Sequence, residues 1–464
     1  MTDESIATDY GNFGVGFRVD SLDNLCGKGG IQTGPFGSQL HKKDYVPIGT
    51  PIITVEHLGD NRIIHRNLPR VSDYDKNRLS KYILREGDIV FSRVGSVDRR
   101  SIVREEEDGW LFSGRCLRVR PDKSRISPGY LSYFFGLPAF QEHIRAIAVG
   151  ATMPSLNTRI LSGVSIAYPS LPEQRAIAHI LGTLDDKIEL NRRMNQTLEE
   201  MARALFKSWF VDFDPVLAKV ALKQHAIGKP ANSHAAPKGN GAAPAAEWTV
   251  ERARAYLDAM DPQIANLFPD RLVDSELGET PEGWVPAKLA DVIQIHDSKR
   301  IPLNSRQRAD RQGPFPYYGA AGIMDYVDDF LFDGIHVLTG EDGSVVDPHG
   351  HPVVQYVWGQ FWVNNHAHVL RGTNGVSEEH LYLLLKQANV IPFVTGAVQP
   401  KLSQRNLRSI PIIYPGLPVC LAFGEIVATL FELLRMRANE LSTLSMQRDT
   451  MMPTLLSGSI PATV

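Results

Sequence analysis

One stretch of this chain occurs twice. "GATMPSLNTRILSGVSIAYPSLP" (Gly150–Pro172) returns as "GAVQPKLSQRNLRSIPIIYPGLP" (Gly396–Pro418), 246 residues later. Extended without a gap to Leu184 and Leu430, about 15 of 35 positions agree, among them Pro154/Pro400, Leu156/Leu402, Arg159/Arg405, Tyr168/Tyr414 and Pro172/Pro418. A solenoid repeats every 20–50 residues or so, far less than this spacing, so the duplication implies two whole modules. Their starts also correspond: "GFRVDSLDNL" (Gly16–Leu25) parallels "GWVPAKLADV" (Gly283–Val292). A length of 464 residues accommodates this at roughly 100–200 residues per domain.

The bodies inside the two frames look unlike each other. Both mix short β-branched runs (Ile52–Val55, Ile89–Phe91, Ile335–Leu338, Phe361–Val363) with Gly and Pro turns, which reads as short twisted strands, long loops and a few helices. Similar frames around different bodies suggest one task performed on two targets. The segment 229–246 is rich in Ala, Pro and Gly and reads as a flexible linker.

After each shared segment the period becomes helical. Apolar residues recur with alternating steps of four and three at 177, 181, 184, 188, 198, 202, 205 and 209, with Asn191 and Asn195 between them. The matching positions of the second half include Leu430, Leu434, Leu441 and Leu444. Each helix is about 40 residues, so roughly 60 Å long at 1.5 Å per residue. A stripe of that length needs a partner, and the other copy supplies one: modules related by a pseudo-twofold axis would pair the helices antiparallel. The pairing residues are Leu181, Leu184, Ile188, Asn191, Leu198 and Leu205 against Leu430, Leu434, Leu441 and Leu444, with the asparagines fixing register. Two modules held apart by such helices suit DNA read in two half-sites.

These residues carry a resemblance. "YPSLPEQRAIAHILGTLDDKIELNRRMNQTLEEMARALFKSWFVDFDPV", "GATMPSLNTRIL" and the duplicated layout resemble the specificity subunit of type I restriction–modification systems over nearly the whole chain. The second copy departs from the Pro-Glu-Gln helix start, with Val419-Cys420 in place of Glu-Gln. The resemblance implies an α+β fold: target-recognition domains at 1–169 and 276–415, long spacer helices at 170–214 and 416–464, and a linker and extension at 215–275. It implies a non-catalytic subunit that binds double-stranded DNA in two separated parts. It also implies docking to two methyltransferase subunits and, through them, to motor–nuclease restriction subunits. S-adenosylmethionine, ATP and Mg2+ would serve those partners, with no cofactor bound by this chain. A sequence-indifferent scaffold is the alternative.

The residues agree that no engine is present. No Pro-Pro pair exists for an adenine-methyltransferase loop, and "TGEDGSVV" (Thr339–Val346) lacks the spacing and Lys of a phosphate-binding loop. His366 and His368 would share a strand face, as zinc ligands can, but "DPHGHP" around His349 and His351 reads as a turn and no carboxylate stands at a convincing spacing. A structural or DNA-facing role is expected for His366 and His368, and no metal. Three scattered cysteines argue against a disulfide framework and suit a reducing cytoplasm. The opening residues are acidic and polar, and no apolar run approaches a membrane span, so a cytoplasmic location is expected.

A net charge of −3 requires any DNA-binding charge to be local. "TGPFGSQLHKK" offers Thr33, Ser38, Gln39, His41, Lys42 and Lys43 for phosphates or base edges; its other reading is an ordinary solvated loop. "SRVGSVDRRS" offers Arg93, Ser96, Arg99 and Arg100. "HDSKRIPLNSRQRADR" holds five basic against two acidic residues, with Lys299, Arg300, Arg306 and Arg308 as phosphate contacts. Tyr318, Glu341 and Ser344 lie in polar loops, where Glu341 or Asp342 could accept from cytosine; the other reading is a solvated acidic turn. Gln399 and Lys401 belong to the shared segment. That segment cannot by itself read two sequences, so it is assigned to module closure and DNA-backbone contact.

Overall fold

A computed structural model describes residues 5–35, 37–150, 152–227, 248–396 and 398–462; the expected linker at 229–246 lies outside them. The chain forms two compact units, Met1–Arg192 with Asn439–Val464, and Arg193–Ala438. The division falls inside both long helices, not at the expected limits of separate spacer segments. The reason is packing, since each half-helix gives its apolar face to the core of the unit that contains it.

In the first unit a four-stranded antiparallel sheet runs in the order Ile31–Thr33, Cys116–Val119, Ile89–Ser92, Arg100–Ile102. Side chains alternate across it. Ile89, Phe91, Leu117 and Val119 enter one core with Phe134, Phe140, Ile177 and Leu181. Val90 and Cys116 enter a second with Ile52, Ile53, Leu111 and Phe112. That second core belongs to a smaller sheet of Arg70–Val71, Tyr45–Ile53 and Leu111–Phe112.

The second unit repeats this frame. Its sheet runs Ile293–Ile295, Ala367–Gly372, His336–Gly340, Val354–Val357, the same order of first, fourth, second and third strand. Val337, Val354 and Leu370 face one core, while Leu338, Val357 and Val369 face the other. The bodies are therefore alike in frame, against the sequence expectation. They differ in the inserted sheet, which here has four strands: Ile323–Val327, Phe315–Tyr318, Gln360–Val363 and Phe332–Asp333. Each unit also has a small clasp, pairing Arg18–Ser21 with Ser165–Tyr168 in one and Val285–Lys288 with Pro411–Tyr414 in the other.

The long helices span Leu171–Phe210 and Leu417–Leu456. Gln174 holds the first turn: its Oε1 accepts from the Ser127 N–H at 2.8 Å and its Nε2 donates to the Pro169 carbonyl at 2.9 Å. Within the first unit the half-helices run antiparallel. Ile177 and Leu181 share a core with Met452 and Leu455, Asp185 meets Arg448 at 2.9 Å, and Asn191 donates to Glu440 at 3.0 Å. Leu181, Ile188 and Asn191 are buried there, while Leu184, Leu441 and Leu444 are half-buried. Within the second unit Phe206 and Trp209 pack on Phe423, with ring centroids 5.9 and 5.5 Å apart. Leu198, Leu205, Leu430 and Leu434 are half-buried there. The fully buried Phe431 lies off the expected heptad seam.

The second long helix is long and apolar enough to cross a membrane by length and composition, which corrects the sequence expectation. Its Val419, Cys420, Phe423, Val427 and Phe431 are instead buried in the second unit's core. The first long helix stops at Phe210. Phe213 turns the chain in a left-handed conformation (φ 55°), and a new helix, Asp214–Ala226, starts with Pro215 in its first turn.

His380 occupies an aromatic box in this core. Its ring stacks on Phe210 at 4.8 Å and stands edge-on to Phe206 and Phe423. Burial pushes its pKa down to about 3 from 6.5, so the folded unit keeps it neutral while the unfolded chain protonates near the ordinary value. A folded pKa depressed in this way gives stability that is complete above pH 6.5 and lost as the pH falls toward 3. The slope is at most about 1.36 kcal/mol per pH unit. Denaturant midpoints measured between pH 6.5 and 4 should fall in the parent chain and fall less steeply in His380→Phe; parallel slopes would contradict this role.

Candidate nucleic-acid interface

The strand register gathers loops at one end of each frame sheet. In the first unit Thr33 stands beside Leu117, Ser92 beside Cys116 and Arg100 beside Phe91. The loops after Thr33, between Ser92 and Arg100, and before Cys116 therefore converge. In the second unit the same end collects the loops after Ile295, between Gly340 and Val354, and before Ala367.

Three backbone hydrogen bonds lash these loops to the shared segment. The Arg93 N–H donates to the Arg115 carbonyl (2.8 Å), the Leu156 N–H to the Arg93 carbonyl (2.9 Å), and the Gly95 N–H to the Pro154 carbonyl (2.9 Å). In the second unit the Glu341 N–H donates to His366 (2.7 Å), Leu402 to Glu341 (2.9 Å), and Gly343 to Pro400 (2.9 Å). The turns coincide as well: Gly95 and Gly343 have φ of 83° and 84°, a conformation that glycine adopts freely. "RVGSV" and "EDGSV" are thus one turn carrying different side chains.

The structure sorts the expected contact residues. His41, Lys42, Lys43 and Ser96 are exposed, and Ser38 lies in the short turn Gly37–Gln39. Thr33 is half-buried at its strand end. Gln39 is tied to the inserted sheet's side of the unit, where its Oε1 accepts from the Tyr82 hydroxyl at 2.6 Å. Arg93 is half-buried, with Nη1 on the Gly114 carbonyl at 3.1 Å, and Arg99 donates to the Leu58 carbonyl.

Arg100 is a correction. It is 5% exposed, donates to the Ser132 carbonyl at 3.2 Å and pairs with Asp60 at 3.3 Å, so it serves the interior.

In the second unit Lys299, Arg306, Ser344, Gln399 and Lys401 are exposed. Arg300 is a second correction: it binds Glu341 at 2.9 Å and the Ala367 carbonyl at 2.6 Å, and lies 3.4 Å from Asp297. Glu341 is thereby engaged by Arg300, with Lys401 3.6 Å away, and is not free to accept from a base. Arg308 is also committed, to Asp325 at 3.0 Å and the Leu303 carbonyl at 2.8 Å, and it lies over the Tyr317 ring. Tyr318 packs edge-on against Phe361 in the inserted sheet.

The four histidines do not assemble. His349 and His366 are exposed, and His351 meets the Ala388 carbonyl through Nδ1. His368 is buried between the Asp297 carboxylate (2.6 Å) and the Leu402 carbonyl (2.7 Å). Asp297 also accepts from the Val369 N–H and Gln404. Burial alone would raise its pKa; the bonds and charge of His368, the Val369 N–H and Arg300 together hold it below the ordinary carboxylate value. Asp297, Glu341 and His368 have metal-ligand spacing, and the Arg300 guanidinium pairs with both carboxylates.

Sequence reasoning missed Arg115 and the equivalence of His366 to it. Both are exposed and occupy the same lashed position. "SGRC" reads only as a turn, and the strand register alone brings it to this end.

The family described as type I restriction modification DNA specificity domain matches residues 30–200 and 281–442. The specificity subunit of the type I restriction enzyme HindI from Haemophilus influenzae is 26% identical over 446 residues, covering 88% of this chain and 95% of that protein. The MjaIX specificity subunit from Methanocaldococcus jannaschii is 24% identical over 437 residues, covering 90% and 88%. In fold, the crystal structure of the type I restriction–modification S subunit from M. genitalium aligns with a TM-score of 0.54 at 16% identity, over 95% of this chain and 96% of that one.

Neighbouring candidates should separate cleanly. Arg300→Ala strands two carboxylates in a largely buried site and should cost about 3–5 kcal/mol of stability. Exposed Lys299→Ala should stay within about 0.5 kcal/mol of the parent. Thermal melts of the two variants check this, and equal losses would contradict the division.

Proposed function

The chain belongs to the family of type I restriction–modification DNA specificity subunits, and from that premise we propose that its two units read the two parts of a split double-stranded DNA target. The observation that carries this reading is the repeated loop lashing: the same three backbone bonds join Arg93, Gly95 and Arg115 with Pro154 and Leu156 in one unit, and Glu341, Gly343 and His366 with Pro400 and Leu402 in the other. A fixed backbone with divergent side chains suits two sites of one design with different specificities. Exposed basic and polar groups at these loops, Lys42, Lys43, Ser96 and Arg115 in one unit and Lys299, Ser344 and His366 in the other, can reach phosphates and base edges.

In this proposal the chain is non-catalytic and cytoplasmic. It docks two adenine-methyltransferase subunits, and restriction subunits join through them. S-adenosylmethionine, ATP and Mg2+ are consumed by those partners. The exposed start of each long helix, Pro172 and Pro418, is shared by both copies and fits a partner met twice.

Modified-base sequencing of DNA from cells expressing the chain with its methyltransferase subunit tests the reading. A split motif with a fixed gap is expected. Arg115→Ala should weaken or relax one part only, by about 1–3 kcal/mol if it contacts a base. Relaxation of both parts would argue against separate readers, and a complex that assembles yet shows no sequence preference would favour the scaffold.

A further inference from the structure

Residues identical in both modules divide by burial. Leu156/Leu402, Leu161/Leu407 and Ile166/Ile412 are buried, and packing accounts for them. Arg159/Arg405 is different. Both arginines are exposed, and neither side chain has a hydrogen-bond or ion-pair partner among the described residues. Each sits in a five-residue helix, Thr158–Ser162 or Gln404–Arg408, begun by a capping side chain, Asn157 or Ser403. Each lies three residues beyond the lashed Leu156 or Leu402, so the same crossing that fixes the reading loops fixes the arginine's backbone.

A charged side chain that the fold does not use, kept at the same place in both copies, points to a ligand common to both units. Divergent loops exclude a common base sequence. The sugar–phosphate backbone is common to every sequence, and guanidinium pairs with phosphate oxygens through two parallel N–H donors.

We propose that Arg159 and Arg405 are sequence-independent phosphate anchors, one per unit, which clamp the DNA backbone beside the reading loops. This rests on the DNA-recognition reading above and adds a division of labour within it. Arg159 and Arg405 supply affinity without information, and the lashed loops supply information.

The test uses the full chain assembled with its methyltransferase subunit. Two duplexes of equal length, one holding the methylated motif and one unrelated, are titrated by fluorescence anisotropy between 50 and 200 mM salt. Arg159→Gln and Arg405→Gln should each weaken both duplexes by the same factor. Each should lower the slope of log affinity against log salt by about one, and the double variant by about two. Arg159→Lys should restore most of the slope, and the methylated motif should not change.

Unchanged affinity and slope would overturn the proposal. So would a loss confined to the motif duplex with a relaxed motif, which marks a base contact. Loss of the methyltransferase subunit with a parental slope would mark a protein contact instead. If the parent complex binds both duplexes alike, the recognition reading fails; a lowered slope in Arg159→Gln would still establish the anchor.

Discussion

Three main-chain hydrogen bonds per unit set the terms for everything at the candidate interface. They join the turn after the second frame strand, the turn before the fourth, and the duplicated segment. Because N–H and C=O groups make them, they place no demand on side chains beyond the glycine at φ near +83°. The lashing can persist while Arg93 becomes Glu341 and Arg115 becomes His366. A reading surface whose scaffold is indifferent to its own side chains is free to change specificity without loss of fold.

Local electrostatics then absorb what the substitutions introduce. Arg93 sends its guanidinium to the Gly114 carbonyl, whereas Glu341 brings a carboxylate to the same place and needs Arg300 and Lys401 beside it. The buried His368–Asp297 pair and Gln404 complete that arrangement. Such networks are costly to break, because removing one member leaves the others desolvated and unpaired. The second unit's largest basic cluster in sequence is therefore in good part internal wiring, and its free charge lies on Lys299 and Arg306.

Much of the architecture was legible in the sequence and much of the site was not. A 246-residue repeat and two heptad stripes announce two modules and two long helices, because both signals are carried along the chain. The frame sheet was hidden. Its strands face an apolar core on each side, so Ile89–Phe91 and His336–Leu338 show no polar alternation to match between copies. Arg100 and Arg300 were read as outward contacts because burial of a basic residue depends on carbonyls and carboxylates far along the chain, Ser132 and Glu341 among them. Arg115 was overlooked for the converse reason. The heptad seam likewise passed over Phe431, whose burial comes from an aromatic core and not from helix pairing alone.

The most direct test is a structure of the chain, with the methyltransferase subunits proposed for it, bound to a duplex carrying the split motif that the proposal expects. The account predicts base-edge contacts from the lashed loops of each unit, with all six backbone hydrogen bonds intact. DNA seated on another face of either unit, or loops that release these bonds on binding, would contradict it.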